Sequence, residues 1–240
     1  MADAVALSEF RTRVRYKADI EVGASGSRFP DAEVDRYINE ACKQLYNKLV
    51  LARGESYYEK AHKADCALST NLYNLPSDFA WLVGVMAWDG VVGGEYCQVP
   101  PFDAASYQAL LSANTAGSIH ELHYKLTPTQ VEIRPTPTSA DWDVLLSYIP
   151  TMTEMSSPTD TFDGINGFEE WAILTAAIAC KTKDEEDPSA LMAERAIIDQ
   201  TITGLASQRD AGRPPVIQDT RQDYAGARWT HEGLRDSWDW

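Results

Sequence analysis

The chain has 240 residues, of which 44% are hydrophobic, and it carries a formal net charge of -15 with an isoelectric point near 4.6. A surface this acidic excludes binding to nucleic acid through phosphate contacts, which needs a basic surface. The length fits one large domain, or one domain that carries a smaller inserted unit.

The sequence predicts neither a membrane segment nor a secretion signal. No apolar run approaches the roughly 20 residues that a membrane-spanning helix needs. The N-terminus lacks the basic-then-apolar order of a signal peptide, so we expect a protein that is made in a cytoplasm or carried in a particle assembled there. The four cysteines are scattered without a CxxC pair and are expected to be free thiols: Cys42, Cys66, Cys97 and Cys180.

Two amphipathic helices are predicted in residues 1–56. Apolar residues recur with helical spacing through residues 7–21, where Ser8 is a possible cap. A second stripe with a period near 3.6 runs until Gly54, a residue type that often follows a helix end. We expect the two helices to form an antiparallel pair. Their predicted buried stripes are Leu7, Phe10, Val14 and Ala18, followed by Val34, Ile38, Ala41, Leu45 and Leu49.

Residues 57–150 carry strand and turn signals and are predicted to form a small antiparallel β-rich insert. Its first segment, 57–70, is compatible with either a strand or a continued helix. Asp89-Gly90 is a strong turn signal. The predicted strands are 72–75, 81–88, 96–99, 120–126, 131–134 and 144–149, and a short amphipathic helix is predicted at 103–113. The tryptophans expected in the core of the insert are Trp81, Trp88 and Trp142.

A second helix pair is predicted in residues 151–211. One helix starts at Gly167 and Pro188 opens the other. Two helix pairs that flank an insert are the natural halves of a four-helix bundle. The predicted fold class is therefore α+β, mainly α: a four-helix bundle, an inserted β-rich subdomain and an extended C-terminal arm at 212–240. The apolar positions expected on the inner faces are Phe168, Trp171, Leu174 and Ile178, then Leu191, Ile198, Ile202 and Leu205.

No motif in the chain predicts an active site, a cofactor or a metal. The phosphate-binding patterns GxxxxGK[ST] and GxGxxG and the nucleophile pattern GxSxG are missing from the sequence. His120 and His123 are three residues apart on a predicted strand, so their side chains would point to opposite faces. Asp160 and Asp163 are expected in a solvated loop. We therefore expect no catalytic residue, no cofactor and no bound metal.

The acidic run Asp184-Glu185-Glu186-Asp187 closes one of the predicted helices. Negative charge at the C-terminus of a helix opposes the helix dipole. The simpler interpretation is a solvated helix end, and the alternative is a cationic partner from outside the chain.

The C-terminal segment 212–240 holds three of the seven tryptophans but almost no aliphatic residues. It cannot build a core of its own, and a disordered tail is normally poor in aromatic residues. Aromatic residues and arginines dominate the binding energy of protein interfaces. We therefore predict an arm that docks on another subunit; the alternative is that it packs back on its own domain. The predicted docking residues are Arg221, Tyr224, Arg228, Trp229, Arg235, Trp238 and Trp240.

Three short stretches carry a further signal. Arg28–Ala41 contains the pattern I-N-x-A, Tyr73–Phe79 reads Y-x-L-P-x-D-F, and Ile133–Thr138 reads IRPTPT. Together with a strand that ends in Tyr148, these stretches resemble the head-to-tail adaptor proteins of tailed phages, which are also called head-completion or connector proteins. The resemblance covers roughly residues 7–210.

This resemblance implies a structural virion protein without catalytic activity, assembled as a ring of about twelve copies beneath the portal. The implied partners are further copies of the chain, the portal protein, and a tail or nozzle protein, with the arm of residues 212–240 reaching onto the portal. Packaged DNA would pass through the ring without specific binding, because an acidic lumen repels phosphate. The implied location is the neck of the virion, after assembly in the host cytoplasm, with no membrane involved.

Two other classes of function compete with the adaptor. A tail-tube or tail-completion protein would be dominated by β-structure, so strong helix content would argue against it. An acidic hydrolase with a carbohydrate-binding β insert would need converging carboxylates in a cleft that also offers aromatic platforms for a sugar.

Overall fold

The computed structural model describes residues 4–20, 28–53, 58–65, 70–91, 96–102, 115–139, 141–164 and 167–206, all of which belong to one compact unit. The fold is mixed α+β, with helices at both ends of the described chain and strands mainly between them. The described helices are α1 (Leu7–Ala18), α2 (Asp31–Arg53), α3 (Glu169–Lys183) and α4 (Ser189–Ala206). The predicted helix at 103–113 and the arm at 212–240 lie outside the described residues.

The strands form a four-stranded sheet, a three-stranded sheet and two short pairs. The strand bounds are β1 Val5–Ala6, β2 Lys60–Asp65, β3 Leu72–Asn74, β4 Phe79–Trp88, β5 Cys97–Gln98, β6 Thr115–Ala116, β7 His123–Leu126, β8 Gln130–Arg134, β9 Thr136–Pro137, β10 Asp143–Pro150 and β11 Thr161–Phe162. The larger sheet has the order β2-β10-β4-β5 and the smaller one β3-β8-β7, both antiparallel as predicted. The pair β1–β11 is antiparallel, whereas β6–β9 is parallel and departs from the prediction.

The helical stripes predicted from the sequence are buried. All four predicted residues of α1 and all five of α2 lie in the helical core. Arg11 pairs with Asp35 and Arg15 with Asp31, so the higher-numbered arginine meets the lower-numbered aspartate and the two helices run antiparallel. Helix α3 packs against each of the other three described helices.

The predicted cap of α1 is wrong. The residue before the helix is Ala6, which has extended backbone and no side-chain hydrogen bond to the helix. The amides of Leu7 and Ser8 instead donate to the carbonyls of Asp160 (2.9 Å) and Pro158 (3.1 Å). Because β1 leads straight into α1, the loop before β11 reaches the free amides and satisfies them with backbone oxygens.

The interior is divided into two hydrophobic clusters that meet along β10. One cluster is helical and the other lies between the strands. Val144 and Leu146 belong to the strand cluster, while Ile149, further along the same strand, belongs to the helical cluster. The strand β10 is central in its sheet, with β2 on one side and β4 on the other, so it connects the two clusters covalently.

Two predictions within the β-rich region are wrong. Residues 120–126 do not form one strand, since Ile119–Glu121 is a 3-10 helix whose first turn is capped by the Ser118 hydroxyl. Trp81 is 54% exposed and does not lie in the core. Ser147 pairs with Gly84 and the next residue, Tyr148, pairs with Leu82, so β4 contains an extra residue there and Trp81 lies on the opposite face from the buried Val85.

The other tryptophan predictions can be settled directly. Trp142 and Trp171 are buried as predicted, and Trp88 is half-buried.

The ambiguous segment 57–70 contains a strand, β2. In α4, Ile202 is buried and Leu191 and Ile198 are half-buried, while the side chain of Leu205 lies outside the described residues.

Candidate interaction surfaces

The seven predicted docking residues of the arm, from Arg221 to Trp240, all lie outside the described residues. The structure therefore brings none of them to a site, and the arm remains a prediction. The described residues show which ion pairs join the helices and which contacts the sequence motifs make. They also show which large apolar side chains are exposed.

The cations of α1 join it to α2. Arg11 forms a two-pronged ion pair with Asp35, and Arg15 donates to Asp31 at 2.8 Å and to the Phe29 carbonyl at 3.0 Å. The Arg15 side chain is almost completely buried, and a buried guanidinium is tolerated only when it is paired in this way. The hydrogen bond to Asp35 raises the pKa of the Arg11 guanidinium. These contacts hold α1 against α2 and the segment before it.

Two further cations of α1 reach the other helix pair. Arg13 contacts Glu170 of α3 at 3.2 Å, and Lys17 contacts Glu170 at 2.9 Å and Glu194 of α4 at 2.8 Å. Hydrogen bonds to Glu194 and Glu170 raise the pKa of Lys17. All four cations of α1 therefore serve contacts within the chain, and they offer little positive charge to an external anion.

The acidic run at the end of α3 has cationic partners within the chain. Asp184 pairs with Arg28 at 2.5 Å and Glu186 with Lys181 at 2.6 Å. Asp187 accepts from the amide and the hydroxyl of Ser189, and these bonds lower the pKa of its carboxyl. The outside cationic partner considered as an alternative is not needed for these three residues.

The first motif, Arg28–Ala41, is explained by contacts inside the fold. Ile38 and Ala41 are core residues. The Asn39 amide holds the backbone of Met155 from both sides: its Nδ2 donates to the Met155 carbonyl at 3.0 Å, and its Oδ1 accepts from the Met155 amide at 2.9 Å. Asn39 of the I-N-x-A pattern therefore attaches the segment after β10 to the middle of α2.

The second motif, Tyr73–Phe79, builds the turn between β3 and β4. The Phe79 amide donates to the Pro76 carbonyl at 3.0 Å and closes this turn. The Asp78 carboxylate accepts from Lys60 and from Tyr148, each at 2.9 Å, and these two bonds lower its pKa. Its carbonyl accepts from the Thr151 amide at 2.6 Å. Asp78 thus ties β2, β4 and β10 together where β10 leaves the sheet.

The third motif, Ile133–Thr138, contributes to the strand cluster. Ile133 is buried, and the peptide bond between Arg134 and Pro135 is cis. The Thr138 hydroxyl donates to the Ala116 carbonyl at 2.7 Å, beside the parallel pair β6–β9. All three motifs therefore act in folding contacts.

The other titratable groups singled out in the sequence also have structural roles. The Asp160 carboxylate accepts from the amides of Ser156 and Ser157, which lowers its pKa, and Asp163 is exposed, so both lie in a loop as predicted. His120 belongs to the 3-10 helix and His123 to β7, so the predicted strand geometry does not apply to them. Among the described residues no cluster of three potential metal ligands occurs.

The cysteines in the described part of the chain are free thiols, as predicted: Cys42, Cys97 and Cys180. Cys66 lies outside it. Burial raises the pKa of the Cys42 thiol well above its usual range and that of Cys180 to about 11. Buried thiols with raised pKa values are poor nucleophiles, so Cys42 and Cys180 are core residues.

A groove of about 640 Å³ lies between α2 and residues 154–156. It is lined by acidic side chains, among them Asp35 and Glu40, together with Arg36 and Lys43, but by no aromatic side chain. Asp35 is already paired with Arg11. The hydrolase alternative requires carboxylates beside aromatic sugar platforms, and this groove does not provide that combination.

Large apolar side chains are exposed on three of the described helices. Tyr16 of α1 is 85% exposed, Leu51 of α2 is 74% exposed and Ile197 of α4 is 68% exposed. Ile197 was not predicted from the sequence, because the inner stripe dominates the apolar periodicity of α4. The signal was present: Ala193 and Ile197 are four residues apart and outside that stripe, on a helix with only three charged residues.

The described structure thus defines a protein whose helices share a hydrophobic core and are joined by ion pairs, and whose sequence motifs serve its architecture. The profile of the SU10 adaptor protein family matches residues 5–219, and the chain belongs to this family. No curated protein matches the chain. No helix among the described residues is long and apolar enough to cross a membrane.

One of the solved structures that match is a chain described as "Neck of empty GTA particle computed with C6 symmetry". The two share 13% sequence identity, and the match covers 81% of this chain and 94% of that one with a TM-score of 0.24. The family match ends at residue 219, so all seven predicted docking residues lie beyond it.

Proposed function

We propose that the protein is a non-catalytic structural component of a phage-like virion that joins the head, at the portal, to the tail. The observation that carries this proposal is the adaptor family match over residues 5–219. The motif contacts support it, because Asn39 and Asp78 serve the architecture of the fold. The mixed α+β content speaks against a β-dominated tail-tube protein.

The architecture that we propose is a four-helix bundle made of residues 1–56 and 151–211, with residues 57–150 as the insert. The two hydrophobic clusters support this division, since the helical cluster combines side chains from both ends of the described chain. In the virion the bundle would make the contacts between neighbouring copies, and the insert would face the tail or the next ring.

The assembled form that we propose is a ring, of about twelve copies, around the channel for packaged DNA. The net charge of -15 supports this, because an acidic lumen repels phosphate and lets DNA pass without sticking. A lumen lined by neutral or basic side chains would contradict this part of the proposal, and a structure of the assembled ring would show it.

The arm of residues 212–240 is the segment that we propose grips the portal. Its composition supports this role, since aromatic residues and arginines are the usual anchors of interfaces. The seven residues named in the sequence analysis, from Arg221 to Trp240, are the candidates for that contact.

The proposal is tested by measuring mass with light-scattering chromatography. Full-length protein and a version truncated after Gly212 are each run with and without the portal protein. We expect the full-length chain to join the portal and the truncated chain to remain separate.

Each alternative outcome has a distinct meaning. Equal portal binding by both versions would contradict the arm and move the contact to the bundle. If neither version binds, the adaptor function is itself wrong.

A further inference from the structure

The centre of the outward face of α4 carries no charged side chain. Positions separated by four, three and four residues fall on one side of a helix, and here they are Ala193, Ile197, Gln200 and Gly204, all exposed. Ala190 and Thr201, which flank them, are also exposed and neutral, and the exposed carboxylate of Glu194 lies at the edge beyond Thr201. The face therefore runs the length of the helix.

The charges of α4 are all directed into the chain itself. Glu194 pairs with Lys17 of α1 at 2.8 Å, and Asp199 pairs with Lys48 of α2 at 2.5 Å. The Arg195 guanidinium lies 5.6 Å from the centre of the Trp171 ring. Glu194 is 46% exposed at the edge of the outward face, where Lys17 neutralises it.

The same face carries an exposed large apolar side chain. Ile197 is 68% exposed, and Met192, at the edge of the face, is 47% exposed. Alanine and glycine beside them allow another helix or loop to approach closely. An apolar face of this kind is typical of a surface that is covered by a protein partner.

We propose that this face, the Ile197 face, is the surface through which one copy of the chain contacts a second copy. The proposed ring requires a contact between copies, and the charge of the chain limits where that contact can lie. Two copies that each carry -15 repel one another, so their contact is least opposed where the surface carries few charges. The Ile197 face meets that condition along a whole helix.

This inference deepens the proposed ring, which requires contacts between copies, and it rests on that proposal for the closed arrangement. A ring contact is heterologous, so the Ile197 face would meet a different surface of the neighbouring copy. The segment 207–240 of the same chain and the portal protein are the competing occupants, and the experiment distinguishes them.

The test places a benzophenone amino acid at position 197 and, as a matched control, at position 44. Gln44 is exposed on α2 among polar neighbours. Each protein is irradiated alone and with the portal protein, and the products are separated by mass. We expect a covalent product of two chains from position 197 and none from position 44.

Charge variants provide the second measurement. Ile197→Glu should weaken self-association by at least about tenfold, because it replaces an apolar side chain that the contact between copies would bury with a charged one. Gln44→Glu adds the same charge elsewhere and should leave self-association unchanged. Circular dichroism verifies that both variants are folded.

Several results would overturn the inference: an adduct within one chain, an adduct with the portal protein only, or no adduct at position 197. Portal binding that persists in those cases would leave the adaptor function standing. A two-chain product without any portal binding would support the Ile197 face and count against the adaptor function.

Discussion

The Asp199 carboxylate connects side chains from three helices. It accepts from Lys48 Nζ of α2 at 2.5 Å and from Trp171 Nε1 of α3 at 2.9 Å. The hydrogen bond from Lys48 is the main reason why the pKa of Asp199 lies below its ordinary value, although burial opposes it. One partly exposed residue of α4 therefore helps to fix that helix against both of its neighbours.

Replacing Asp199 should destabilise the fold measurably. We expect Asp199→Ala to lower the free energy of unfolding by about 1 kcal/mol, since it removes an ion pair that solvent partly screens and leaves the Trp171 N–H without this acceptor. Urea denaturation measures the change. Glu40→Ala, which removes the same charge from an exposed position of α2, should change stability by less than about 0.5 kcal/mol. Equal losses in the two variants would contradict the role of Asp199.

Stability should fall in acid. The pKa values of Glu33, Asp78 and Asp199 are lowered in the fold, first of all by hydrogen bonds from Lys183, Lys60 and Lys48 respectively. The unfolded chain, with carboxyl pKa values near about 4, binds more protons than the folded chain as pH decreases. The stabilisation is complete above that value and is lost as pH falls through the lower folded pKa values.

Thermal unfolding followed between about pH 7 and 3 measures this dependence. We expect the midpoint to be nearly constant at the upper end and to drop below about pH 4. Asp199→Asn should reduce the steepness of that drop, whereas a midpoint that rises in acid would show that repulsion among carboxylates outweighs these pairs.

At the scale of elements, β10 and the segment after it join the helical cluster to the strand cluster. The strand itself was predictable, because Val144–Ile149 is strongly apolar and lies between turn signals. Its course between two cores was not predictable, since nothing local in the sequence tells which apolar residues will meet the helices. The same limitation explains Trp81, because an extra residue in β4, revealed by its pairing with β10, reverses the face that alternation predicts.

The helices were the better predicted elements for a physical reason. A helix is stabilised by contacts close in sequence, so the stripe from Val34 to Leu49 specifies both the element and its buried side. The contacts that orient the helices are distant in sequence: Arg11 with Asp35, or Lys48 with Asp199. The partners of such ion pairs could not be chosen from among 36 acidic residues.

The contact between α2 and the chain after β10 can be tested at Asn39. Asn39→Ala removes both hydrogen bonds to Met155 and should lower the free energy of unfolding by about 1–3 kcal/mol. Asn39→Asp keeps an acceptor but loses the donor, so an intermediate loss is expected. Guanidinium denaturation with both variants measures the order. An alanine variant as stable as the wild type would show that water replaces the side chain fully.

At the scale of the whole molecule, the net charge of -15 coexists with cations that are used internally. In the ion pairs of α1, four cations meet Asp31, Asp35, Glu170 and Glu194. These four cations and four carboxylates neutralise one another, so the excess of 15 negative charges remains on the rest of the molecule and makes copies repel one another. Association between copies has to overcome this repulsion.

Added salt should therefore strengthen contact between copies. Screening weakens the repulsion between acidic chains, while an uncharged Ile197 face loses no ion pair. Sedimentation velocity at low and high sodium chloride measures the association constant, which we expect to rise. Binding to the portal through arginines of the arm should respond in the opposite direction. A fall in self-association with salt would point to ion pairs between copies.

The helical cluster has a consequence for the order of events during synthesis. Its two N-terminal helices end at Arg53, and α3, which packs against both, begins only at Glu169, about 115 residues later. At typical translation rates that interval lasts on the order of ten seconds. During that interval the apolar stripes of α1 and α2 are complete, but α3 has not yet been synthesised. Nascent-chain folding should therefore finish late, after α4 has left the ribosome, and not domain by domain from the N-terminus.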